Sequence, residues 1–138
     1  MLGYFTRLVL IGCWLMTITV SGAIAGDVPK KLDVDEAEQL AYKAISRHHP
    51  RPPGTLWYEP DISLPFFTFS GAGILAGIDG YYAVNPWTGD VWYLWGCTRT
   101  TTLALRKAQD MIRHRFTAEE RKQYRKLRRL KPVCEWVN

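Results

Sequence analysis

Tyr81-Tyr82-Ala83-Val84-Asn85-Pro86-Trp87-Thr88-Gly89-Asp90-Val91-Trp92-Tyr93-Leu94-Trp95 is the stretch that decides the architecture of this 138-residue chain. Two runs rich in β-branched and aromatic residues, 81–84 and 91–95, flank six residues dense in turn formers. Pro86 presets φ and Gly89 supplies a positive-φ position, so a hairpin over residues 81–95 follows from backbone stereochemistry. Alternation is expected to put Tyr82, Val84, Trp92 and Leu94 on one face, and Tyr81, Ala83, Val91, Tyr93 and Trp95 on the other. Both faces are apolar and must be covered. In a chain this short, a partly exposed aromatic face is expected.

Upstream, Phe66-Phe67-Thr68-Phe69 predicts another strand. Gly71, Gly73, Gly77 and Gly80 then interrupt an apolar run, which signals a bulge or a tight bend. Residues 46–65 hold prolines at 50, 52, 53, 60 and 65 and should be a loop, with Trp57-Tyr58 as a short edge strand. Before that loop, Asp33 and Glu36 form a capping box for a helix whose apolar stripe is Ala37, Leu40, Ala41, Ala44 and Ile45. Downstream of the hairpin, Thr100 or Thr101 is expected to cap a helix reaching about Arg115, with Ala104, Leu105, Ala108, Met111 and Ile112 inward. Thr117 and Glu120 form a second capping box, opening a helix that continues through Leu130 and stops at Pro132. Its inward stripe is Tyr124, Leu127 and Leu130. The expected fold is α+β: a small antiparallel sheet around the hairpin, packed with one N-terminal and two C-terminal helices.

The first 25 residues have the form of an export signal. Arg7 precedes the apolar stretch Leu8 to Val20, and Ala23-Ile24-Ala25 provides the small residues of a cleavage site. An uncleaved anchor and a lipid attached at Cys13, in Leu10-Ile11-Gly12-Cys13, are the subordinate readings. Export implies a periplasmic or secreted domain over residues 26–138, with no membrane-spanning segment after cleavage. Of the three cysteines, Cys97 and Cys134 remain in that domain, and in an oxidising compartment they most simply form one disulfide. The chain-entropy model values a loop of that length at about 4 kcal/mol, comparable to the whole stability of a small domain.

Charge is segregated along the chain. Residues 26–98 hold 5 Lys+Arg against 9 Asp+Glu, while residues 99–131 hold 12 against 3. The basic helical part, about 101–131, is either a solvated face that aids solubility or a docking surface. An acidic protein or an anionic envelope polymer fits the export signal better than nucleic acid, for which no helix-turn-helix or finger motif is present. Aromatics cluster as well: 11 Trp, Tyr and Phe lie between Trp57 and Trp95. Most should build the core, but Trp87, placed on the turn, is a candidate contact residue. The candidate partner-binding set is Trp87, Asp90, Trp92, Tyr93, Arg121, Arg125 and Arg128.

Catalytic patterns are sparse. His48, His49 and His114 lack metal-ligand spacing, and Gly71-Ala72-Gly73 completes neither a phosphate loop nor a nucleophile elbow. No metal or cofactor is expected. Glu59, Asp61, Asp79 and Asp90 offer carboxylates for glycoside chemistry, and a small cell-wall hydrolase using Glu59 or Asp79 is one reading of them.

The order of an acid-capped helix followed by Tyr81-Tyr82-Ala83-Val84-Asn85-Pro86-Trp87-Thr88-Gly89-Asp90-Val91-Trp92 resembles small exported domains of the PepSY kind. It is also similar to small periplasmic immunity proteins whose hairpins carry an N-P-x-T-G-x-V-W turn. The resemblance spans about residues 33–97; the basic tail and Cys134 lie beyond it. It implies a non-catalytic protein that inhibits or sequesters an enzyme or toxin outside the cytoplasm, with no catalytic residues. The alternatives are a binder of peptidoglycan or acidic glycans, and the hydrolase.

Overall fold

The computed structural model describes residues 28–45, 55–72 and 78–134, apart from the side chains of Ala72, Ile78 and Asp79. The export signal over 1–25, Cys13, His48, His49 and the carboxylate of Asp79 lie outside what is described. The described elements are α1 (Val34–Ile45), β1 (Leu56–Tyr58), β2 (Phe67–Ala72), β3 (Ile78–Val84), β4 (Val91–Tyr93), β5 (Thr98–Thr100), α2 (Leu103–His114) and α3 (Glu120–Arg128). The strands form one antiparallel sheet in chain order, β1-β2-β3-β4-β5. This is the expected α+β fold. The register shifts between Gly71 and Ala72, inside the glycine-punctuated stretch.

The hairpin forms as expected, but its faces differ from simple alternation. Val84 pairs with Val91, Ala83 with Trp92 and Tyr82 with Tyr93. Paired residues share a face, so Tyr82, Val84, Val91 and Tyr93 lie together, and Trp92 and Leu94 join Tyr81 and Ala83. The cause is the six-residue turn. It pairs residues of opposite parity and thereby transposes the second strand relative to the expectation.

Each face acquires its own core. Phe67, Phe69, Tyr82, Val84 and Val91 pack under α1, whose Ala37, Leu40, Ala41, Ala44 and Ile45 are all buried, as the periodicity requires. Leu105 and Ile112 of α2, Phe116 of the α2–α3 connection and Leu127 of α3 complete that cluster. On the opposite face, Phe66, Ala83 and Leu94 are covered by Ile62, Tyr81, Trp92, Leu130 and Cys134. Among the described residues, no helix contributes to that cluster. The tail does the covering, held by Val133 N–H donating to the buried Ser63 Oγ at 2.8 Å and by the Cys97–Cys134 disulfide, with 5.8 Å between the Cα atoms.

Both capping boxes are present. Glu36 N–H donates to Asp33 Oδ1 at 2.8 Å, and Asp33 N–H to Glu36 Oε2 at 3.3 Å. Thr117 N–H donates to Glu120 Oε2 at 2.8 Å, and Glu120 N–H to Thr117 Oγ1 at 3.2 Å. The start of α2 differs from expectation. Thr98 to Thr100 continue the sheet as β5, with Thr100 opposite Val91, so Thr102 takes the cap and accepts from Leu105 N–H at 3.1 Å. The α2 helix lies at the edge of the core, and only its Leu105–Ile112 stripe is inward. Ala104 and Met111 are therefore exposed rather than buried. No helix among the described residues is long and apolar enough to cross a membrane.

Candidate partner-binding groove

Two regions were candidates for contact, the turn and the basic helices, and the structure treats them oppositely. The turn is a buried joint. Asn85 is fully enclosed; its Oδ1 accepts from the backbone N–H groups of Trp87 and Thr88 at 3.0 and 3.2 Å, and its Nδ2 donates to Leu127 O at 2.9 Å. Pro86 O accepts from both Lys31 N–H and Leu32 N–H, at 2.9 and 3.0 Å. Gly89 has φ +71°, and a β-carbon there would stand 2.6 Å from Ile112 Cδ1 and 3.0 Å from Leu40 Cδ1. The positive φ favours glycine at this position, and a side chain there would also have to displace these two methyl groups.

Trp87 was expected to stand out from the turn and instead is 5% exposed, with its Nε1 donating to Val28 O at 2.8 Å. An indole is large enough to reach inward from a short turn, and its one donor needs a partner once buried. Asp90 is buried too. Thr88 Oγ1 donates to its Oδ2 at 2.9 Å, Arg99 Nη2 pairs with its Oδ1, and Arg128 Nε lies 4.0 Å from Oδ2. Burial raises the Asp90 carboxyl above the usual carboxylate range, with Arg99 foremost among the groups opposing the shift. Neither residue is placed to touch a partner. Trp92 and Tyr93 are half-buried, the first against the tail-covered cluster, the second against Tyr82 with ring centroids 5.4 Å apart. Among the described residues, the aromatics that do face solvent are Trp57, Tyr58 and Trp95.

The basic helices make a groove. One stripe of α2, Arg106, Gln109, Asp110 and Arg113, has the i, i+3, i+4, i+7 spacing of a single helix face, and it opposes Arg121, Tyr124 and Arg128 of α3. The space between the helices holds two hollows that share Asp110 and Arg113 in their lining. The larger, about 300 Å³, is lined by Asp110, Arg113, His114 and Arg121. The smaller, about 160 Å³, is lined by Arg106, Gln109, Asp110, Arg113, Tyr124 and Arg128.

Three of the four groove arginines are positioned by neighbours. The Arg113 guanidinium lies 5.6 Å from the Tyr124 ring centroid, Arg121 Nε donates to Phe116 O at 3.1 Å, and Arg128 faces Asp90. Tyr124 is itself fixed edge-on to Phe116, with centroids 5.1 Å apart. Burial, then the charge of Asp90, pushes the Tyr124 phenol above its ordinary range, so it remains a neutral donor in the groove.

Of the basic residues singled out in sequence, Arg121 and Arg128 line this groove, whereas Arg125 is exposed outside it. Arg106 and Arg113 were not singled out. Their seven-residue spacing on one helix face was the available signal, but it means little until α3 folds back opposite.

Among the described residues, Glu59 and His114 have structural partners. Ser70 Oγ donates to Glu59 Oε1 at 2.9 Å, and His114 Nδ1 lies 2.8 Å from Asp110 O. Among the described residues, no three His, Cys, Asp or Glu side chains come together as a metal site.

No family model matches the chain, and no curated protein matches it in sequence. Among solved structures, it is similar to a chain from a type VI secretion system effector–immunity complex of Pseudomonas protegens. The identity is 24% and the TM-score 0.49, over 71% of this chain and 91% of that one. A superposition of that quality carries no functional conclusion.

Proposed function

We propose that the chain is an exported, non-catalytic binding protein that docks an acidic protein surface on its α2–α3 face, acting as an inhibitor or immunity-type partner of an envelope-acting enzyme or toxin. The observation that carries this reading is the groove: four arginines converge on one exposed cleft, and three are already oriented by neighbouring groups. Cationic side chains held in place lose less freedom on binding and bring an acidic partner in faster than scattered lysines do. Inhibition would be by occlusion, the rigid domain covering the enzyme's cleft.

The test is a panel of purified envelope-acting hydrolases from the same genome, starting with any encoded beside this gene. A stoichiometric complex by size-exclusion chromatography and loss of hydrolase activity are expected, both abolished by Arg113→Glu, Arg121→Glu. Inhibition that is unchanged in this variant overturns the assignment of the face. A second reading, binding to peptidoglycan or acidic glycans, is favoured by the exposed rings of Trp57, Tyr58 and Trp95. Cosedimentation with purified cell wall that is lost in Trp57→Ala, Trp95→Ala would select it.

A further inference from the structure

The two faces of the sheet are closed by different means. One is sealed by helices whose apolar stripes run into the core. On the other, Phe66, Ala83 and Leu94 are covered in part by Leu130 and Cys134 of the tail, and residues 130–134 form neither helix nor strand. Among the described residues, the tail's one hydrogen bond to that side of the domain runs from Val133 N–H to Ser63 Oγ, and its covalent tie is Cys97–Cys134. The polar groups on this face are poorly matched. Thr68, Ala83, Trp92 and Arg99 are register partners across β2, β3, β4 and β5, so they form one row on the tail side. Thr68 Oγ1, Trp92 Nε1 and Arg99 Nε are buried and have no hydrogen-bond partner among the described residues. Burying unpartnered polar atoms is unfavourable, so this row weighs against closure of the face.

Helix α3, by contrast, is anchored without the tail. Leu127 is buried, its carbonyl accepts from Asn85 Nδ2 at 2.9 Å, and Glu120 accepts from Lys31 Nζ at 2.8 Å. The chain therefore divides at Arg129–Leu130, between a helix fixed to the core and a segment held by limited packing, one hydrogen bond and one disulfide. We infer that residues 130–134 are a redox-operated strap: a dithiol reductant releases them from the sheet and uncovers Phe66 and Leu94, while the core beneath α1 and the α2–α3 groove stay folded. Cys97 is exposed and Cys134 half-buried, so a thiolate of the reductant attacks Cys97 Sγ. The S–S bond breaks with its electron pair leaving on Cys134 Sγ. The reductant's second thiolate then attacks the mixed disulfide, closing the reductant's own disulfide and freeing Cys97. Each cysteine sulfur takes up one proton, and the two thiols of the reductant have supplied two electrons. Without the tie, the Val133–Ser63 bond must be closed against the freedom of a loose segment, and it opens.

Hydrogen exchange of the purified, oxidised protein before and after dithiothreitol tests this, with anilinonaphthalene sulfonate fluorescence as the second readout. On reduction the Val133 amide should exchange at the rate of an unstructured chain, and dye fluorescence should rise about threefold or more as the apolar face opens. The amides of Leu40 to Ile45 in α1 and of Tyr124 in α3 should remain about a hundredfold slower than an unstructured chain. Reoxidation should restore both readouts. Ser63→Ala in the oxidised protein should speed Val133 exchange and leave dye fluorescence unchanged, because the covalent tie still holds the cover. A Val133 amide that stays protected after reduction overturns the strap. So does a reduced protein in which α1 and the tail lose protection together, since the disulfide is then a staple for the whole domain. A dye response to Ser63→Ala as large as that to reduction also overturns it, because the hydrogen bond and not the disulfide then holds the cover.

Discussion

The turn at 85–90 and the groove between α2 and α3 are built from opposite kinds of sequence. The turn has the most distinctive residues in the chain, Asn-Pro-Trp-Thr-Gly-Asp, and all six are buried. The groove is made of ordinary exposed arginines, and its geometry appears only when two helices are set side by side. A residue-specific turn announces hydrogen-bonding demands of the backbone, which are architectural. A binding surface depends on distance across the fold, which no local pattern encodes. Here the conspicuous motif builds the domain, and it is the inconspicuous one that the proposed function assigns to a partner.

That contrast can be broken most sharply at Trp87. Trp87→Ala should cost about 3–5 kcal/mol in urea unfolding, whereas Trp57→Ala, at an exposed edge strand, should change stability by less than about 0.5 kcal/mol. The opposite ranking would return the turn to the surface. Next in size is the clip: Cys97→Ser, Cys134→Ser should lose about 2–5 kcal/mol, with a matching loss when the wild type is unfolded in a thiol reductant. Asn85→Ala, which strands three hydrogen-bonding groups in a dry site, should cost about 2–3 kcal/mol. Arg106→Ala, by contrast, should leave thermal stability within about 0.5 kcal/mol of wild type, since its guanidinium is exposed in the groove.

Acid titration gives the smallest and subtlest separation. Arg115 first, and then the backbone N–H of Asp33, hold Glu36 below its ordinary value; Lys31 does the same for Glu120. Stability from these two is present above about pH 4.5 and is lost as the pH falls through their folded values. Asp90 has the opposite sign. Its raised folded value means that its contribution is greatest below its unfolded value and fades as the pH rises through the folded one. Removing it in Asp90→Asn takes away an opposing slope, so the variant should lose stability more steeply than wild type on acidification below pH 5. A shallower slope, by circular dichroism against pH, would remove Asp90 from the core.

Much of the fold was legible because its rules are local. Capping boxes at Asp33–Glu36 and Thr117–Glu120, the α1 stripe, the edge strand at Trp57-Tyr58 and the glycine bulge all follow from short-range stereochemistry. The face assignment of Trp92 was missed because it hinges on whether the turn contains an even or odd number of residues between paired positions. β5 was missed because Thr98-Arg99-Thr100 is short and polar, and only its partner β4 makes it a strand. The groove was half legible as geometry: Arg121 and Arg128 stood out through charge density, while Arg106, Arg113 and Tyr124 gain meaning only across it. Trp87 was misplaced because an aromatic on a turn is indistinguishable in sequence from one folded beneath it.

The capping-box glutamates have a second employment. Glu36 also accepts both Nη groups of Arg115, at 3.0 and 2.7 Å, and Glu120 also accepts from Lys31 Nζ at 2.8 Å. Each carboxylate that starts one helix thus ties down a residue near the start of the other, so residues 31–36 and 115–120 are mutually latched. A helix cannot swing away without also fraying its own first turn. Local order and tertiary placement at this corner are therefore coupled through the same two carboxylates.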